Sequence, residues 1–160
     1  MGDCGSSGDN AVFSGRFDHS IDEKGRVSIP VRFREVLQRE SHDRLYITNF
    51  KEYGQPCLEA YLPNEWENVI SKFVNKRMLD PNLQLFETFY VGGAHEVPVD
   101  KQGRILIPPK LREFAKLDRD VTFAAMIDHF QLWDRGAHEK LSAVAEEMIS
   151  NPDFLEKLNL

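Results

Sequence analysis

The sequence has few cysteines, no long apolar run and no excess of basic residues. Its 160 residues include two cysteines, Cys4 and Cys57, too few for a disulfide framework or a four-thiolate zinc site. No apolar stretch approaches the roughly 20 residues that cross a bilayer, and no basic segment leads into an apolar one as in a secretory signal. We therefore expect a soluble protein of the reducing cytoplasm, with no membrane partner.

The charge balance is acidic. There are 26 Asp and Glu against 20 Lys and Arg, for a formal net charge of −6, which argues against coating nucleic acid through bulk positive charge. Two segments are mildly basic: residues 13–44 hold seven Lys and Arg against six acidic residues, and residues 98–116 hold five against two. Any nucleic-acid function must therefore depend on local basic patches.

The chain contains an internal repeat. Residues 22–30, Asp-Glu-Lys-Gly-Arg-Val-Ser-Ile-Pro, return as residues 100–108, Asp-Lys-Gln-Gly-Arg-Ile-Leu-Ile-Pro. The match continues into the next element, where Arg34 corresponds to Arg112. Residues 58–61 correspond to residues 130–133, at a smaller offset, so the second copy is shorter.

Each copy predicts the order β-β-α-β-β. The first two β stretches flank a turn containing Gly25 or Gly103, since glycine supplies the positive φ of tight turns. Spacings such as Phe33, Val36 and Leu37 are typical of the buried face of a helix. Two further strands are expected at residues 44–49 and 57–62 in the first copy, and at residues 121–126 and 130–134 in the second.

The predicted division of the chain follows the repeat. It comprises a disordered leader (1–12), a first repeat (13–63), a connecting helix and loop (64–93), a second repeat (94–137) and a C-terminal helical segment (138–160). Asn64 is expected to cap the connecting helix, and Gly92-Gly93 to lie in the loop. A copy of about fifty residues buries little alone, so both should share one sheet or barrel core. The apolar stripe of the last segment packs against the sheet or forms a subunit interface.

These residues resemble the MraZ family of bacterial transcriptional regulators, within the SpoVT-AbrB, swapped-hairpin superfamily. The resemblance covers roughly residues 13–148 and rests on a duplicated Asp-x-x-x-Arg motif, Asp22 to Arg26 and Asp100 to Arg104, each followed by an apolar strand and a proline. It implies an α+β fold in which two tandem β-β-α-β-β repeats share one pseudo-twofold β-barrel core, with helices after each repeat.

The resemblance also implies a function. It indicates a sequence-specific DNA-binding regulator, in its family a repressor, at the promoter of the division and cell-wall gene cluster. Such a protein would assemble as a homo-oligomeric ring on short direct repeats of double-stranded DNA and associate with the nucleoid.

The residues themselves indicate how DNA could be held. Arg26 and Arg104 can donate bidentately to phosphate, or to the O6 and N7 edge of guanine in the major groove. Arg34 and Arg112 either reach the DNA backbone or pair with a nearby Glu35 or Asp. The residues predicted to bind DNA are Lys24, Arg26, Arg34, Lys101, Arg104 and Arg112. The residues predicted to orient the loops are Asp22, Gly25, Asp100 and Gly103.

Two other functions are weighed against this one. A protein-interaction module, like the swapped-hairpin antitoxins that bind toxins, is favoured by the apolar C-terminal segment. An enzyme would need chemistry that the motifs lack: the five histidines show no H-E-x-x-H spacing, and no P-loop or G-x-G-x-x-G is present. Asp22 and Asp100 as general acid and base have identical contexts, which gives their pKa values no reason to separate. We expect no catalytic residues, metal, cofactor or small-molecule substrate.

Overall fold

Both repeats fold in the predicted order in a computed structural model, which describes residues 12–76 and 79–160. The first repeat comprises β1 (Arg16–Ser20), β2 (Arg26–Ser28), α1 (Val31–Arg39), β3 (Arg44–Glu52) and β4 (Gln55–Tyr61). The connection contains α2 (Pro63–Lys76) and α3 (Pro81–Tyr90). The second repeat comprises β5 (His95–Pro98), β6 (Arg104–Leu106), α4 (Pro109–Phe114), β7 (Asp120–Ala125) and β8 (Phe130–Asp134), and α5 (Arg135–Ile149) and α6 (Pro152–Leu158) follow. The leader predicted over 1–12 lies, apart from Val12, outside the described residues.

The connection between the repeats differs from the predicted helix and loop, because α3 is a second helix. The Asp80 carboxylate accepts a 2.9 Å hydrogen bond from the Asn82 amide, and Pro81 occupies the first turn, so Asp-Pro starts this helix. Asn64 lies inside α2 rather than capping it, and its Oδ1 is 3.0 Å from His42 Nε2. Gly92 and Gly93 form a turn after α3.

The two repeats exchange strands. The described strands form a six-stranded antiparallel sheet, in the order β1-β7-β8-β4-β3-β5, and a two-stranded ribbon of β2 and β6. β1 therefore pairs with β7, β5 with β3, and β2 with β6, always across the repeat boundary. The strands on either side of each glycine turn do not pair with each other but with the opposite repeat.

The strand order reveals the pseudo-twofold axis. Exchanging each strand for its counterpart in the other repeat turns the order β1-β7-β8-β4-β3-β5 into its own reverse. At the centre of the sheet Glu59 pairs with Gln131, its own equivalent in the second copy. In the ribbon Val27 pairs with its equivalent Ile105. The axis therefore passes through the middle of the sheet and the middle of the ribbon.

Both repeats bury their apolar side chains in one core. The ribbon contacts both edges of the sheet, through β1 with β2 and β5 with β6, and encloses that core. Phe33 of α1 lies at its centre, with ring centroids 5.2 Å from Phe13 and 4.8 Å from Phe130. Burying one such side chain stabilises the fold by about 1.5–3 kcal/mol. Removing the apolar side chains that one repeat contributes to the core would therefore strongly destabilise the other repeat. The shared pseudo-twofold core is confirmed.

A buried polar cluster lies on the other face of the sheet, under α2 and α3. The Glu59 carboxylate accepts hydrogen bonds from Tyr90 Oη, from His129 Nε2 at 2.9 Å and from Gln131 Nε2 at 2.9 Å. Tyr61 Oη, 2.7 Å from Tyr90 Oη, completes the chain of donors. Since these groups come from both repeats and from α3, the cluster ties the connection to the sheet.

The two charged members of this cluster stabilise each other's ionised form. Burial alone would lower the pKa of His129, but the hydrogen bond and charge of Glu59, with those of Asp128, leave the pKa raised. Burial alone would raise the pKa of Glu59, but the donors from His129, Tyr90 and Gln131 leave that pKa lowered. The cluster therefore favours an imidazolium beside a carboxylate.

We predict that His129→Gln flattens the pH dependence of stability above about pH 6.5. Because folding raises the pKa of His129 above its ordinary 6.5, its contribution is full below that pH and is lost as the pH rises through the folded pKa. Urea unfolding between about pH 5.5 and 8.5 measures this, and the wild type should lose its advantage over the variant as pH rises. The exposed His95→Gln is the matched control, and parallel curves for wild type and His129→Gln would contradict the prediction.

Candidate nucleic-acid interface

The two Asp-x-x-x-Arg turns have the same internal hydrogen bonds. Asp22 Oδ1 accepts from the amides of Lys24 and Arg26, both at 2.9 Å, and Oδ2 accepts from Arg26 Nε at 2.8 Å. Asp100 repeats the pattern toward Gln102 and Arg104, at 2.9, 2.9 and 3.1 Å. Each aspartate thus caps its turn and fixes its arginine, and both ion pairs use Nε rather than the terminal nitrogens.

The hydrogen bonds of the turns favour the ionised form of both aspartates. Hydrogen bonds from the backbone of Arg26 and Arg104, followed by their side chains, hold the pKa of Asp22 and of Asp100 below the ordinary value. The first turn, with Asp22, Glu23, Lys24 and Arg26, is formally neutral, whereas the second, with Asp100, Lys101 and Arg104, carries +1. Any net positive charge at the first turn must therefore come from elsewhere.

Each turn glycine is required both by the backbone and by a neighbouring arginine. Gly25 has φ +89° and Gly103 has φ +77°, in the left-handed region that side chains disfavour. A Cβ on Gly25 would lie 2.7 Å from Cζ of Arg112, and a Cβ on Gly103 would lie 2.2 Å from Cδ of Arg34. Arg34 thus packs on the turn of the second repeat, and Arg112 on the turn of the first.

Backbone hydrogen bonds cross between the repeats at the same glycines. The Ile29 amide donates to the Gly103 carbonyl at 2.9 Å, and the Ile107 amide donates to the Gly25 carbonyl at 3.0 Å. Ile29 directly follows β2 and Ile107 directly follows β6. Each turn is therefore held by the strand that leaves the other turn.

The ribbon presents both arginines on one outward face. Val27 and Ile105 point into the core, so alternation places their neighbours on the opposite side. Arg26 pairs with Leu106 and Ser28 with Arg104, which makes the arginines diagonal neighbours, about 7–8 Å apart in such ladders. Lys24 and Lys101 are exposed beside them, in the turns. The two motif turns, residues 22–26 and 100–104, form two arginine-bearing tips at opposite ends of the ribbon, and both arginines lie on its outward face.

Some features of this site were not predicted from the sequence. Leu106 lies on the outward face and is 55% exposed although apolar. Arg34 and Arg112 contact the opposite turn, and Arg34 has no ion pair with Glu35 among the described residues. The only sequence signal for this placement is that both arginines occupy equivalent positions in the repeat.

The acidic, histidine and cysteine side chains that the structure describes form no metal-binding cluster. No cluster of three His, Cys, Asp or Glu side chains that could hold a metal occurs in the described ranges. Each motif aspartate is bonded to its own arginine. No helix in the described part of the chain is long and apolar enough to span a membrane.

Comparison with known proteins decides the family. A family model described as "MraZ protein, putative antitoxin-like" matches residues 12–85 and 90–156, one segment for each repeat. The chain belongs to the MraZ family. MraZ relatives are similar over most of their length, and the two segments match the duplication seen in the fold.

Three of these relatives carry the name Transcriptional regulator MraZ. The protein of Syntrophobacter fumaroxidans is 42% identical over 132 residues, covering 81% of this chain and 85% of the relative. That of Acetivibrio thermocellus is 38% identical over 147 residues, covering 92% and 96%. That of an Anaeromyxobacter species is 36% identical over 149 residues, covering 92% and 100%.

We predict that Gly103→Ala destabilises the protein more than Gly54→Ala. Gly54 has a similar φ of +74° but nothing within 4 Å of its missing Cβ, so it reports backbone strain alone, about 1–2 kcal/mol. At Gly103 the collision with Arg34 should add about 1–3 kcal/mol. Urea unfolding measures both losses, and equal losses would show that Arg34 moves aside freely.

Proposed function

We propose that the chain is a DNA-binding transcriptional regulator that holds double-stranded DNA with the outward face of the β2-β6 ribbon. One observation carries this proposal: two Asp-held arginines from different repeats lie on a single exposed ribbon face. Arg26 and Arg104 are the central contacts, with Lys24 and Lys101 toward the phosphates. Arg34 and Arg112 belong to the same site, behind the tips.

The chemistry of the tips suits a nucleic acid. An antiparallel two-stranded ribbon fits the major groove of B-DNA, where arginine pairs bidentately with guanine O6 and N7. Because the ion pairs with Asp22 and Asp100 use Nε, the terminal nitrogens are left for this purpose. The aspartates fix each side chain in advance, which reduces the entropy lost on binding.

The proposal extends to assembly and biological role. The resemblance implies a ring that repeats the tips along one face, a repressor at the promoter of the division and cell-wall genes, and a cytoplasmic protein on the nucleoid. One chain offers few basic side chains to DNA, and its overall net charge is −6, so a single chain should bind weakly. Several weak contacts on successive direct repeats would then add by avidity.

We expect the wild type to retard its own upstream DNA in a salt-sensitive manner, and Arg26→Ala and Arg104→Ala to bind more weakly. Removing one phosphate interaction from every bound subunit should lower the slope of log affinity against log salt by about 0.9. Electrophoretic retardation over a salt series measures both quantities. Arg39→Ala, at the end of α1, removes the same charge from another exposed position as a control. Unchanged affinity and slope for both tip variants would remove the ribbon from the interface.

A monomeric variant should bind a multi-repeat operator about tenfold more weakly than the assembly, or weaker still, because avidity is absent. Ile149→Asp and Leu155→Asp are the first variants to make, since these apolar side chains are about half exposed on α5 and α6. Sedimentation identifies the variants that are monomeric, and retardation measures their affinity. A monomer that binds the operator as tightly as the wild type would refute binding through an assembly.

A protein-interaction module is the second candidate. It is supported by the exposed apolar side chains of α5 and α6, which include Val144, Met148 and Leu158, and by the antitoxin-like description of the family. The retardation experiment separates the two candidates. A sharp, salt-sensitive shift supports the regulator, and no shift at any salt concentration supports the module.

A further inference from the structure

We propose that Arg34 and Arg112 are positioning residues, each supporting the tip of the opposite repeat, rather than contacts to DNA. The inference rests on the proposed function for its effect on binding, but the support itself is a property of the free protein. It assigns the six basic residues of the site to two roles, with four at the surface of the tips and two beneath them.

The guanidinium of Arg112 lies against the backbone of Gly25. Its Cζ, Nη1 and Nη2 are 2.7, 2.8 and 3.0 Å from the position that a Cβ of Gly25 would occupy. Three nearly equal distances place this point over the flat face of the group rather than at its edge. The planar cation thus occupies the space that glycine leaves open.

Arg34 has the equivalent place against Gly103. Its Cδ, Nη1 and Nε are 2.2, 2.7 and 2.9 Å from the corresponding Cβ position, and Nη1 lies 3.4 Å from the Gln102 carbonyl oxygen. That distance is long for a hydrogen bond, so packing is the main interaction. Both arginines thus pack on the opposite turn, Arg112 through its guanidinium and Arg34 through Cδ together with its guanidinium.

The buried Nε atoms restrict Arg34 and Arg112 to contacts through their terminal nitrogens. Nε of Arg34 and Nε of Arg112 each expose less than 1 Å² and have no hydrogen-bond partner among the described residues. Bidentate contact through Nε and one terminal nitrogen is therefore closed to both side chains. A buried donor without a partner is unfavourable, so the packing of both side chains against the turns must offset this cost.

The arginines act together with the crossing backbone bonds. Gly103 receives the Ile29 amide and the Arg34 side chain, and Arg34 stands on α1, which begins two residues after Ile29. The end of β2 and the start of α1 therefore both contact the second turn, through Ile29 and Arg34. Ile107 and Arg112 of the second repeat contact the first turn at Gly25 in the corresponding way.

Amide hydrogen exchange of the free protein tests the crossing. In Arg34→Ala the amides of Gly103 and Arg104 should exchange about tenfold faster, since support worth roughly one charged hydrogen bond is removed, while those of Gly25 and Arg26 stay unchanged. Arg112→Ala should give the reverse pattern. Exchange that changes in the residue's own repeat, or in neither, overturns the proposal.

The lysine variants separate packing from charge. Arg34→Lys and Arg112→Lys keep the charge but lose the planar face, so the fast exchange at the opposite tip should persist. Normal exchange in both would show that charge alone suffices and would also overturn the proposal. If an alanine variant does not fold, the exchange measurement can be made on the lysine variant instead.

Binding to the upstream DNA distinguishes support from contact. Arg34→Ala and Arg112→Ala should bind more weakly than the wild type with an unchanged salt slope, whereas Arg26→Ala lowers the slope by about 0.9 for every phosphate interaction that it removes from a bound subunit. A similar fall in slope for Arg34→Ala would mean a direct contact and refute the positioning role. If the wild type binds no DNA, the proposed function fails, and the exchange experiment still decides the support.

Discussion

The exchange of strands between the two repeats is the constraint on which the rest of the structure depends. β1 extends the β7-β8 hairpin and β5 extends the β3-β4 hairpin, so neither repeat completes its own sheet. β2 and β6 pair only with each other, which joins the two motif turns in one ribbon. A hairpin closed within one repeat would have left Arg26 and Arg104 in separate ribbons, whereas the exchange makes them diagonal neighbours on one ribbon face.

The exchange also explains why the motif is so uniform in its two copies. Each aspartate holds its own turn, but the glycine of that turn is packed by an arginine and bonded by an amide of the other copy. A substitution in one turn therefore disturbs contacts with an arginine and an amide of the other repeat, which have not changed with it. The positive φ of Gly25 and Gly103 is a second reason for glycine at these positions, because any side chain there would be strained even without the arginine.

Much of this architecture could be predicted from the sequence, because the repeat carried it. The duplicated motif indicated the strand and helix order of both copies, and residue spacing placed Phe33 and Leu37 on a buried helix face, as found. Strand periodicity shows which face is buried but not which strand is the partner, so the contact of Arg34 with Gly103 lay beyond it. The predicted cap at Asn64 was wrong for another reason: the capping pattern did not locate the start of the helix, which begins at Pro63.

Nor could residue patterns show which polar groups meet in the interior. Glu59 and Gln131 occupy equivalent positions in a strand, and only the axis between β4 and β8 makes them neighbours. His129 is seventy positions from Glu59 in the chain, and Tyr90 comes from a helix that residue spacing did not predict. Such clusters depend on long-range packing, which single-sequence patterns do not contain.

The pseudo-twofold axis has a consequence for the kind of DNA site that this ribbon would match. A perfectly twofold-symmetric reader matches a palindrome, because each half presents the same groups in opposite directions. Here Arg26 stands opposite the exposed Leu106, whereas Arg104 stands opposite Ser28, and the second turn carries one more positive charge than the first. The two halves of the ribbon are therefore chemically different, and under the proposed function one orientation on the DNA is favoured over its reverse. Copies related by rotation in a ring would all present that same orientation, which corresponds to direct repeats rather than palindromes.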